Sequence, residues 1–137
     1  MHQVDSVLRR IAAEGSGMDA LAARTEALWT DVARALVPII GQRGMSALYE
    51  RALHLAARQH LWLAQASGLD GEPAVFSSLA RVASEHAVDD AIAAITTLFE
   101  TFDRLLVTLI GASLTERLLQ PIWDVPSAGT TRQDTAR

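Results

Sequence analysis

The sequence predicts an all-α fold, an antiparallel helical bundle of four to five main helices, and three observations carry that expectation. Apolar residues recur at helical spacing along nearly the whole chain, and strand-like alternation between turn residues does not occur. Ala and Leu dominate the composition, and both favour helix. Glycines punctuate the periodic stretches at Gly15 and Gly17, Gly41 and Gly44, and Gly68 and Gly71.

The first helix is expected over about Val4 to Ala13, closed by Gly15 and Gly17. Ser16 with Asp19 is a weak capping-box variant for the second, whose stripe runs through Leu21, Leu28, Val32, Leu36 and Ile39 with Trp29 beside it. Pro38 removes a backbone bond, so a kink or stop is expected near Leu36. The tight link 41–44 then returns a third helix, about Met45 to Gln65, antiparallel to the second. Ser67 to Pro73 reads as a loop, with an Asp70-Gly71 turn and Pro73 suited to a first helical position. A short fourth helix follows, with Val75, Phe76, Leu79, Val82 and Ala83 on one side.

The fifth helix, about Ala87 to Ile110, places Val88, Ile92, Ile95, Phe99, Phe102, Leu106 and Leu109 on a stripe with alternating spacings of four and three. Ser113 to Glu116 has a capping-box pattern that starts a short helix ending at Pro121. Residues 1–125 read as one domain, and 126–137 as a small, polar tail expected to be disordered. No internal repeat is read along the chain.

A chain of 137 residues that is 50% hydrophobic and 20% charged can bury a real core. The absence of cysteine excludes disulfides, thiolate metal sites and a cysteine nucleophile. Every Lys/Arg position is Arg, which fits a GC-rich bacterial coding bias. The net charge of −4 argues against a nucleic-acid module. The longest apolar run, Leu105 to Leu114, is interrupted by Thr108, Gly111 and Ser113 and falls short of the roughly 20 residues of a membrane span. No leader pattern opens the chain, so the expected location is cytoplasmic, with neither membrane nor nucleic acid as partner.

Three clusters carry possible chemistry. On the third helix His54 lies opposite the apolar face, flanked by Glu50, Arg51 and Arg58, the environment a phosphorylatable histidine needs. Its ordinary reading is a solvated side chain within helix ion pairs. Gln59 falls in the middle of the apolar face with His60 at its edge, and with Trp62 they would line a ligand pocket or simply hydrogen-bond within the core. His86 with Glu85, Asp89 and Asp90 reads as an acidic helix start rather than a metal site, and no metal or cofactor is expected. Gly41 and Gly44 spell GXXG but read as a helix turn.

The fifth helix also carries a second line of small residues, Ala94, Thr97, Thr101, Thr108 and Ala112, opposite its core stripe. Such a face admits a close neighbour, from the chain's own bundle or from a second protomer. Together these features predict a non-enzymatic regulatory or adaptor protein in bacterial signalling or regulation. It would act by helix contact with another protein and form a homodimer through the small-residue face. The alternatives are phosphotransfer at His54 and sensing of a small apolar ligand near Gln59, His60 and Trp62.

Overall fold

The computed structural model describes residues 8–10, 17–66 and 74–123. Among them the chain is all-helical, with no strand: α1 (Met18–Ala56), a 3-10 segment (Leu61–Ala66), α2 (Ala74–Ala83), α3 (Val88–Ile110) and α4 (Ala112–Trp123). Residues 8–10 precede them, are helical and bury Leu8; the rest of the expected first helix, 4–13, lies outside the described residues. The expected tail 126–137, the loop 67–73 and the cap at Ser16 lie outside the described residues.

The second and third helices of the sequence reading are the two arms of α1, which are separate helices joined at Gly41, where the chain folds back on itself. A straight helix would separate Trp29 from Tyr49 by about 30 Å at a rise of 1.5 Å per residue. Their rings lie 4.9 Å apart, edge to face. Gly41 makes the reversal with φ 83° and ψ 164°, a region that residues with a Cβ avoid. A Cβ there would meet no atom within 4 Å, so glycine is required by conformation, not by space. At Gly44, already helical, a Cβ would lie 3.2 Å from the Ile40 Cβ, so Ile40 would have to give by a few tenths of an ångström. The outgoing arm is thus 18–40 and the return arm 42–56.

Several expected boundaries move. Pro38 does not stop the outgoing arm near Leu36, since the helix continues through it to the glycine. The return arm ends at Ala56 rather than near Gln65; Ala57 donates to the Leu53 carbonyl and the chain turns into the 3-10 segment. α4 begins directly after Gly111, so Ser113 lies inside the helix, which extends past Pro121 to Trp123. In α3 the expected stripe is buried at Ile92, Ile95, Phe99, Phe102 and Leu106, but Leu109 is exposed beside the Gly111 corner.

The core centres on Trp29, which is fully buried. Its ring stacks on Phe99 at 4.3 Å with 7° between planes and meets Phe102 edge-on at 5.0 Å. Phe76 of α2 stacks on the Trp29 ring at 5.9 Å, and Tyr49 closes the cluster from the return arm. Four chain segments therefore share one aromatic knot, and such ring pairs contribute beyond their buried area.

Contrary to the sequence reading, the chain is internally repeated. Gly111 joins α3 to α4 with φ 93° and ψ 154°, nearly the conformation of Gly41, 70 residues earlier. At that same offset the buried positions Leu21, Thr25, Leu28, Trp29, Val32 and Leu36 of the outgoing arm match Ala91, Ile95, Leu98, Phe99, Phe102 and Leu106 of α3, all buried. Met45, Tyr49 and Ala52 likewise match Thr115, Leu119 and Ile122. Arg34, Leu36, Val37, Ile40 and Gly41 recur as Arg104, Leu106, Val107, Ile110 and Gly111. Upstream the register slips by one residue: Leu8, Arg10, Ala12 and Glu14 recur as Leu79, Arg81, Ala83 and Glu85, and Leu8 and Leu79 are both buried. The slip and the substitutions between the matches hide the repeat from periodicity.

Candidate functional site

The repeated helix, corner and return helix carry different side chains in the two halves, and that difference builds a cavity in the first. Between the arms of α1, walled by Phe76 of α2, lies a space of about 390 Å³, within the range of small-molecule sites. The outgoing arm contributes Thr30, Ala33, Arg34, Val37 and Pro38, and the return arm contributes Gln42, Met45, Ser46 and Tyr49. Small residues, Ala33 and Ser46, keep the arms from filling the gap, while Val37, Pro38, Met45 and Phe76 make the wall apolar.

Tyr49 is the unusual member. It is 2% exposed, and its hydroxyl is buried without a hydrogen-bond partner. The Trp29 indole N–H, in the adjoining ring cluster, is also buried and unpartnered. Leaving such a group unpaired costs about 1–3 kcal/mol. Burial pushes the Tyr49 phenol well above its ordinary range, and neighbouring Glu50 acts in the same direction. The hydroxyl therefore stays protonated and remains a donor. Arg34 is exposed and lies 3.6 Å from Asp31 one turn earlier. The Thr30 hydroxyl donates to the Glu26 carbonyl at 2.9 Å.

The residues singled out from the sequence fall elsewhere. His54 is exposed in the last turn of α1 and shares a surface recess of about 530 Å³ with Glu50, Arg51 and Ala64. Arg58 is exposed beyond the helix end. Gln59 does not enter the core: α1 has already ended, and Gln59 is exposed on the turn that follows. His60 is half-buried, with Nε2 3.2 Å from the Thr97 hydroxyl, and the half-buried Trp62 stacks on His86 at 4.2 Å. Gln59, His60 and Trp62 do border one open recess, of about 580 Å³. His60 and Trp62 are occupied by contacts within the chain.

The small-residue line on α3 is divided. Ala94 is fully buried and Thr101 is 8% exposed with its hydroxyl donating to the Thr97 carbonyl at 2.8 Å. Thr97 is half-buried against His60, whereas Thr108 and Ala112 are exposed. Ala94 and Thr101 are thus covered within their own chain, and only Thr108 and Ala112 of that line are exposed. Among the described residues no three His, Asp or Glu side chains converge as metal ligands, and no helix is long and apolar enough to cross a membrane.

The cavity was invisible to the sequence reading because its two walls were assigned to separate amphipathic faces. Spacing alone places Tyr49 on the apolar face of the return arm. A polar-tipped ring across a glycine corner from Ala33, with Ser46 one turn before it, was the available signal. Comparison with protein-family models, with curated proteins and with solved structures finds no match.

Proposed function

We propose that this protein is a non-enzymatic regulatory module that binds a small, mainly apolar molecule between the arms of α1. One observation carries the reading: Tyr49 lines an apolar cavity while its buried hydroxyl lacks a partner. A ligand with an acceptor atom would satisfy that donor, and its apolar body would gain from leaving water. The reading joins the regulator expected from the sequence to its ligand-sensing alternative, with the site at the first hairpin in place of Gln59, His60 and Trp62.

Regulation follows from linkage. A ligand held by both arms and α2 stabilises the folded hairpin over its open forms, by an amount set by ligand concentration over Kd. Exposed helix faces then present that state to a protein partner. Thermal unfolding of the full chain with 1-decanol, decanoate, cyclohexanol, indole and benzoate tests the binding step. At least one probe should raise Tm, and the rise should vanish in Ser46→Phe and Ala33→Leu, which fill the cavity. No shift with any probe would overturn the proposal.

A further inference from the structure

We infer that the occupant of this cavity is an amphipathic carboxylate, with one anionic head group on an apolar body. The inference rests on the binding role proposed above and specifies its ligand. Among the described residues that line the cavity, Arg34 is the single charged side chain, and no Asp or Glu joins it. Its one recorded ion pair, with Asp31 at 3.6 Å, is made through Nη1 with both side chains substantially exposed. A guanidinium has five donors in a planar fork, so a ligand carboxylate can be received without removing Asp31.

Tyr49 provides a second donor, which unlike Arg34 is held in place and already desolvated, and burial keeps it protonated. A donor held in an apolar setting favours an anionic acceptor over a neutral one. The chain's net charge of −4 makes a cationic wall a local feature rather than a consequence of overall composition.

The second half of the chain supplies an internal control. At the 70-residue offset, Arg34 and Val37 recur as Arg104 and Val107, but the other lining positions of α1 change. Thr30, Ala33 and Ser46 become Glu100, Asp103 and Glu116, and Tyr49 becomes Leu119. Those three carboxylates would repel an anion, and Leu119 has no donor. The same scaffold is therefore anion-compatible in one half and anion-repelling in the other.

The test compares decanoate with 1-decanol on the full chain by titration calorimetry, below the concentration at which decanoate aggregates. Decanoate should bind about tenfold more tightly or better, the margin expected of a charge-assisted contact. Arg34→Gln should erase that margin, bringing decanoate to the affinity of 1-decanol. Tyr49→Phe, which keeps the ring packing, should weaken decanoate. Equal affinities, or tighter 1-decanol, overturn the carboxylate assignment while leaving the cavity role standing. A decanoate preference that survives Arg34→Gln overturns it as well, by removing the residue that defines it. If neither probe binds but cyclohexanol or indole does, the ligand class alone falls; if nothing binds, both readings fall.

Discussion

The outgoing and return arms of α1 repeat as α3 and α4, with the same glycine corner and the same ladder of buried positions, yet the two halves spend their interiors differently. Where the first half buries Thr25, Trp29 and Tyr49, the second buries Ile95, Phe99 and Leu119. The exchange removes an indole N–H and a phenol hydroxyl, both unpartnered in the first half. The second half does leave the Thr96 and Thr115 hydroxyls unpaired, but these are helical threonines whose side chains can turn to a carbonyl one turn back. An indole N–H and a phenol hydroxyl, held at the far end of rigid rings, are harder to satisfy from their own helix. The comparison teaches that the scaffold does not need those polar tips, so the first half keeps them at a cost in stability.

Substitutions can break or sharpen the comparison. The largest effect is expected at the ring stack where the halves meet. Trp29→Ala and Phe99→Ala should each lose about 3–5 kcal/mol in denaturant unfolding, with Trp29→Ala the worse because its ring meets four others. That approaches the whole stability of a small domain. A cost below about 1 kcal/mol at Phe99 would show that the second half does not lean on the stack as the first does.

The glycine corners come next. Gly41→Ala and Gly111→Ala should each cost about 1–3 kcal/mol, and similar amounts, because both φ values are positive and neither site has an atom within 4 Å of the added Cβ. A neutral result at one corner and a loss at the other would mean that the two turns are not equivalent.

The smallest effect concerns a position where the halves differ in charge. Asp103 stands where the first half has Ala33, and burial raises its carboxyl above the ordinary value of 3.8, with Arg104 opposing. A carboxyl with a raised folded pKa holds its proton more tightly when folded, so its ionisation penalises the native state as pH rises through that interval. Asp103→Asn should accordingly raise Tm modestly at pH 7, and the gain should disappear below pH 3.8. A gain that persists unchanged into acid would assign it to packing instead.

Much of the architecture was legible in the residues. The limits of α3 were read to within a residue at its start, because its stripe is uninterrupted and glycine ends it. Gly41 was recognised as part of a turn, although the break takes one residue rather than four. The end of α1 was not legible: Ala57 to Gln65 continues the helical spacing, and only the packing of Leu63 and Ala66 into the core shows where the chain turns. The candidate site was hardly legible at all. Gln59 was drawn into the core by extending a helix too far, and Tyr49 was hidden among apolar neighbours.

By itself, then, the sequence determined the all-helical class, the antiparallel return at the first glycine corner and most of the buried ladder. Those follow from local rules: propensity, spacing, and the conformations that only glycine adopts. The tertiary structure decided what covers each face. It buried Ala94 and Thr101 within the chain, paired Trp29 with Phe99 across the repeat, and left a cavity lined by Tyr49, whose buried hydroxyl is unpaired. Periodicity states which side of a helix avoids water; whether that side meets a neighbour, a gap or a second helix depends on residues far away in the chain.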